Sequence, residues 1–171
     1  VYGMAEYSAA LANIDWRPLA DATPPADYCS WLAEQGSMTR RLEQQCDRLQ
    51  VTVLREGAVD PTQLSDDECR QLSPSVQYWL REVILLGDGI PWLFGRTLTP
   101  SSTLEGEGEA LRRLGSTPLG RYLFSGVALE RESLRVGCLG LLWARRSRLR
   151  VAGQPLLLTE LFLADAPIYG R

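Results

Sequence analysis

The sequence predicts an α+β fold, a single six-stranded antiparallel sheet with helices packed on it. Three observations carry this prediction. Segments with period-two alternation outnumber helical ones, two pairs of them are joined by tight turn sequences (Asp88-Gly89 and Ala152-Gly153-Gln154), and no long helical crossover separates successive strands. At 171 residues, with 45% hydrophobic and 23% charged content, the chain has the size and composition of one globular domain, 1–171.

The elements follow in order. Residues 1–20 show weak periodicity and are expected to form a loosely attached arm. Pro24-Pro25 opens a helix through Tyr28, Trp31 and Leu32, because proline suits a first helical turn. A second helix runs from Ser37 to Cys46, with Met38, Leu42 and Cys46 along one face. Leu49, Val51 and Val53 alternate with polar residues and mark a strand ending near Gly57. Residues 58–75 are acidic and turn-rich, a surface connection with room for a short helix. Strands are expected over Gln77–Gly87 and Ile90–Thr99. Short helices are expected over Glu109–Leu114, stopped by Gly115, and over Leu119–Phe124. The last three strands are placed at Val127–Val136, Leu141–Val151 and Leu156–Ala164.

Composition excludes whole classes of chemistry. There is no histidine, and all 18 basic residues are arginine. Histidine-based triads, lysine Schiff bases and lysine-anchored cofactors are therefore ruled out. Acid–base work falls to carboxylates, tyrosines, cysteines or water, and arginine serves as a fixed anion receptor. Four widely spaced cysteines form no C-x-x-C pair, which gives no zinc motif and predicts reduced thiols. No apolar run reaches the roughly 18 residues of a membrane span, and no signal-peptide pattern opens the chain. A cytoplasmic protein without membrane insertion is expected. The net charge of −3 gives no basic footprint for nucleic acid.

Alternation exposes two anomalies. One face of Gln77–Gly87 carries Trp79, Arg81, Val83 and Leu85, and one face of Leu156–Ala164 carries Leu156, Leu158, Glu160 and Phe162. Each apolar stripe holds a single ion, which costs several kcal/mol to bury without a partner or a ligand. Two readings stand. Either Arg81 and Glu160 pair with each other or with a neighbour such as Glu82, or they mark a pocket in which Arg81 grips a carboxylate and Glu160 meets a hydroxyl. Arg96 follows Gly95 on the next strand, and is a candidate contact for a second anion or a residue of a solvated face. Among the arginines of the 145–150 run, Arg146, Arg148 and Arg150 share a face, expected to be exposed and paired with Glu130 and Glu132, while Arg145 points the other way.

Several ordered segments carry a resemblance: Ser-Met-Thr-Arg-Arg-Leu-Glu-Gln-Gln (37–45), Tyr-Trp-Leu-Arg-Glu-Val-Ile-Leu (78–85), Asp-Gly-Ile-Pro-Trp-Leu-Phe-Gly-Arg-Thr (88–97), Leu-Gly-Ser-Thr-Pro-Leu-Gly-Arg-Tyr-Leu-Phe (114–124) and Gln-Pro-Leu-Leu-Leu-Thr-Glu-Leu-Phe-Leu (154–163). Together with 51–57 and 142–151 they resemble the bacterial chorismate lyase family, in family order and spacing. The resemblance implies helical flaps over a buried ligand pocket and cleavage of chorismate to 4-hydroxybenzoate and pyruvate without a cofactor, feeding ubiquinone synthesis. It implies that Arg81 binds the ring carboxylate, that Glu160 contacts the ring hydroxyl, and that Met38 and Leu119 contribute largely through backbone groups. A monomer acting on a small molecule is the expectation. The competing reading is a non-catalytic, small-anion-sensing domain of the same fold, as in effector domains of some bacterial transcription regulators. The matching segments together span most of residues 28–169, and only about 25 residues precede that region, too few for the helix-turn-helix domain such a regulator carries.

Overall fold

In the computed structural model, which describes residues 6–124 and 129–170, seven strands form one antiparallel sheet in the order β1-β5-β6-β7-β4-β3-β2. The strands are β1 (Arg17–Pro18), β2 (Leu49–Val59), β3 (Tyr78–Gly87), β4 (Ile90–Pro100), β5 (Leu129–Leu139), β6 (Leu142–Val151) and β7 (Gln154–Phe162). Two three-stranded meanders, β2-β3-β4 and β5-β6-β7, meet edge to edge where β4 pairs with β7. The α-helices are short: α1 (Tyr7–Leu11), α2 (Leu19–Ala22), α3 (Ala26–Leu32), α4 (Met38–Glu43), α5 (Asp66–Gln71) and α6 (Leu119–Leu123).

Local chemistry explains where these elements begin and turn. Ser37 caps α4 by accepting from the backbone N–H of Arg40, and Ser65 with Glu68 forms a reciprocal capping box on α5. The β3–β4 hairpin turns through Asp88 and Gly89 at φ 49° and 84°, and the β6–β7 hairpin through Ala152 and Gly153 at φ 52° and 80°. Consecutive positive φ values are those of the type I′ turn, whose twist matches that of the strands it joins. The segment expected as an α-helix over Glu109–Leu114 is instead part of a 3-10 helix, Gly106–Arg113. The first two residues of the expected strand Val127–Val136 lie outside the described residues, and β5 runs on to Leu139.

The seventh strand and the N-terminal segment correct the sequence reading. Residues 6–20 are docked on the sheet. Ala10, Leu11 and Ile14 are buried with Ile84, Phe94, Ala144 and Leu161, and Tyr7 stacks at a tilt 5.5 Å from Phe94. Arg17 and Pro18 then pair with Val136 and Arg135 of β5. Gly137 permits the close approach, since a Cβ there would meet Ile14 Cγ2 at 2.3 Å and the Asp15 carbonyl at 2.9 Å. A five-residue helix and a two-residue strand are too short to display either periodicity, so the sequence pattern missed them.

The sheet therefore has two covered faces. Helices α1 and α5 lie on one. On the other, α3, α4, α6 and the 3-10 helices Ser101–Leu104, Gly106–Arg113 and Pro167–Tyr169 pack against Leu85, Leu93, Leu149, Leu156 and Phe162.

Candidate active site

On the α4/α6 side the sheet carries a cavity rather than a continuous core. The space between its lining atoms is about 670 Å³ with open solvent included, of which about 60 Å³ can take the centre of a water molecule. Strand register lays out its floor in two rows. One row reads Val83, Gly95, Glu160, Arg145 across β3, β4, β7 and β6, and the next reads Arg81, Thr97, Leu158, Ser147. Gly95 leaves the floor open beside Glu160. The roof is made by Met38 and Thr39 of α4 and by Leu119, Gly120 and Leu123 of α6. The two helices touch closely, and a Cβ on Gly120 would lie 2.6 Å from Thr39 Oγ1. Arg121 reaches Glu43 at 3.3 Å across the same seam.

Arg81, Glu160, Met38 and Leu119, singled out from sequence, all line this cavity. Arg81 and Glu160 do not pair with each other. Glu160 Oε1 accepts from Arg145 Nε at 2.7 Å, and Arg145 donates onward to the carbonyls of Glu34 (2.7 Å) and Leu32 (3.4 Å). Both side chains of the pair are at most 6% exposed, so each needs the other. The Glu160–Arg145 contact uses one carboxylate oxygen; Oε2 makes no hydrogen bond to a described residue. Arg81 donates from Nη1 to the Gly115 carbonyl at 2.8 Å and from Nη2 to the Thr117 carbonyl at 2.9 Å. Its one carboxylate partner among the described residues is Glu56, at a long 3.5 Å. Burial depresses the Arg81 pKa and Glu56 acts against that, but the guanidinium stays charged at any working pH. None of these contacts uses Nε, so a buried cation holds the loop before α6 and retains donors for an anion.

Arg96 is not brought to the cavity, which corrects the expectation of a second-anion contact there. Its neighbours in sequence, Gly95 and Thr97, face the cavity, and strand alternation turns Arg96 to the opposite side. There it donates to both oxygens of Glu68 (2.7 and 3.1 Å), to Glu82 at 2.8 Å and to Ser8 Oγ at 2.9 Å. Burial alone would lift the Glu68 pKa, but the hydrogen bond and charge of Arg96 outweigh it and hold the carboxyl below its usual range. Arg146 joins the same network. It is buried, not exposed as expected, and donates to Asp67 at 2.8 Å beneath the Trp16 ring. Asp67 also takes Arg135, at 2.8 Å. Only the outer end of the run meets the expectation, where Arg148 and Arg150 reach Glu132 at 3.5 and 3.0 Å.

Sequence reasoning missed two arginines that line the cavity, Arg145 and Arg131. Arg145 had a signal, since it stands across from Glu160 in the β6–β7 register and points away from the other arginines of its run. Arg131 had none, because a bulge between Arg131 and Ser133 breaks the alternation on β5. Among the described residues no cluster of three or more His, Cys, Asp or Glu is arranged to hold a metal ion, and no helix is long and apolar enough to cross a membrane.

Comparisons with known proteins give the family. The chain is 51% identical over 162 residues to the chorismate pyruvate-lyase of Pectobacterium atrosepticum, covering 95% of this chain and 91% of the relative. It is 52% identical over 160 residues to that of Erwinia tasmaniensis, covering 94% and 91%. Among solved structures, the effector domain of PhnF from Mycobacterium smegmatis superposes with a TM-score of 0.55 at 14% identity, over 77% of this chain and 91% of that one. The C-terminal domain of PhnF gives 0.52 at 17% identity, over 68% and 83%. At such identities the structural likeness shows the shared fold alone. The family model for chorismate lyase matches residues 10–171, and the chain belongs to the chorismate lyase family.

Proposed function

We propose that the protein is a lyase that converts chorismate to 4-hydroxybenzoate and pyruvate. The observation that carries the reading is the pairing, in one covered cavity, of an arginine with spare donors and a carboxylate with a spare oxygen, two strands apart. Chorismate offers a ring carboxylate and, para to it, a C4 hydroxyl, with the enolpyruvyl ether on the neighbouring C3. Arg81 takes the ring carboxylate and Glu160 Oε2 takes the C4 hydroxyl, which fixes both ends of the ring.

The reaction breaks the C3–O bond, removes the C4 hydrogen as a proton, and places a proton on the enolpyruvyl methylene, which becomes the methyl group of pyruvate. The ring becomes aromatic, and this drives the step. The protein's part is to hold the ether and the C4–H in a reactive arrangement and to exclude water under α4 and α6, through proximity and preorganised charge. Neither a covalent intermediate nor a cofactor is required by this scheme. Incubating the purified protein with chorismate alone, and following both products by chromatography, is the test. Equimolar pyruvate and 4-hydroxybenzoate are expected. Tight binding of 4-hydroxybenzoate without turnover would favour a sensing domain instead.

The roof makes a separate prediction. A closed lid that excludes water also retains an aromatic product. Gly120→Ala forces its new methyl group against Thr39, so α4 and α6 must part. Overpacking costs of about 1–3 kcal/mol correspond to a 4-hydroxybenzoate Kd raised on the order of 10-fold, with a proportionate relief of product inhibition. Calorimetric titration checks this, and an unchanged Kd would mean that the seam does not govern release.

A further inference from the structure

The cavity holds one cation that the two-point scheme leaves unused. Arg131 of β5 lines it, and its Nε–H is buried without a hydrogen-bond partner among the described residues. Its Nη1 donates to Ser147 Oγ. Among the described residues it forms no ion pair, unlike Arg145, which Glu160 neutralises. A buried, unsatisfied guanidinium donor is costly, and an acceptor on a ligand in the cavity would remove that cost.

Position adds a second line of argument. Ser147, which Arg131 touches, closes the floor row that begins with Arg81 on β3 and passes through Thr97 and Leu158. Three strand spacings of about 4.8 Å put the two ends of that row on the order of 14 Å apart. The long side chains of Arg81 and Arg131, near opposite ends of that row, line the same cavity. Three guanidinium groups, Arg81, Arg131 and Arg145, face a single lining carboxylate, Glu160. The lining is thus positive by two charges, with Glu56 partly offsetting Arg81 from outside it. The complement is a dianion.

We infer that Arg131 is the receptor for the second carboxylate of the substrate, the one on the enolpyruvyl arm. The assignment rests on the proposed chorismate reading and extends it. Arg81 then binds a group that substrate and product share, whereas Arg131 binds a group that only the substrate carries. Cleavage takes the arm's carboxylate away with pyruvate, so 4-hydroxybenzoate is held at the Arg81 end alone. Arg131 is in this sense a specificity residue for the enolpyruvyl group.

The test compares one variant on two ligands. Arg131→Gln is expected to raise the KM for chorismate on the order of 30-fold while changing the Kd of 4-hydroxybenzoate less than about 3-fold, in line with one lost charge-assisted contact. Arg131→Lys, which keeps the charge, is expected to recover part of the KM. A merely structural role would weaken both ligands alike, and an unchanged KM would leave the arm's carboxylate elsewhere; either result overturns the assignment. If the unaltered protein fails to split chorismate, the functional reading itself falls, and that outcome is visible before any variant is made.

Discussion

Glu160→Ala is expected to lose activity and stability together, by separable causes. The stability loss comes from Arg145, whose side chain is 2% exposed and whose one carboxylate partner among the described residues is Glu160 at 2.7 Å. Breaking a buried pair by removing one member costs about 3–5 kcal/mol, because the remaining charge stays desolvated. For a chain of this size that lowers Tm by about 10 °C. The activity loss comes from Oε2, which bonds to no described residue and faces the C4 hydroxyl in the proposed complex. If this carboxylate also helps move the C4 proton, its removal lowers kcat by about 10²–10⁴. Glu160→Gln separates the two effects, since the amide oxygen still accepts from Arg145 and preserves more of the fold. Its kcat is expected to fall nearly as far as that of the alanine variant. Replacing Glu160 and Arg145 together by leucine is expected to restore much of the stability without activity, because neither member of the pair is left as an uncompensated buried charge. Initial rates and thermal melts of the three variants check this. A glutamine variant with unchanged kcat would confine Glu160 to holding Arg145.

The pattern of success in reading the sequence follows from what alternation can encode. Strand β3 and the Asp88-Gly89 turn were legible because a ten-residue strand has enough period-two repeats to set its faces. Arg81 and Glu160 were legible for the same reason, as single ions in apolar stripes. What alternation cannot tell is what covers a face. Arg96, Glu82 and Arg146 turn away from the cavity and were open to a solvent-facing reading, yet they are buried under α1 and α5. Those helices have five and six residues, too few to display an amphipathic stripe. The acidic start of α5 reads as a solvated turn, but Asp67 and Glu68 point inward to three arginines. Arg131 was hidden by the bulge on β5, which is also what re-aims its side chain.

Arg81→Ala carries the other large expected effect, and it should be seen mainly in binding. The guanidinium is 3% exposed and its donors are split between the protein and the cavity. Losing a charge-assisted, two-point contact to a carboxylate removes about 3–4 kcal/mol at the upper end of such interactions. The KM for chorismate is therefore expected to rise by about 10²–10³. The Gly115 and Thr117 carbonyls lose their donors at the same time, which loosens the loop leading into α6 and adds to the loss. Arg81→Lys should recover little, because an ammonium cannot hold two carbonyls and a carboxylate in one plane. The ring carboxylate survives cleavage, so the Kd of 4-hydroxybenzoate must worsen in step with the chorismate KM. Titration of both variants with product, beside initial rates on substrate, checks this. A variant whose kcat collapses while KM and product affinity hold would move Arg81 from anchoring to the reacting bonds. In the proposed complex Arg81 and Arg131 grip opposite ends of the substrate, so only the Arg81 variants should lose product, and this contrast distinguishes an anchor for the whole ring from a receptor for the departing arm.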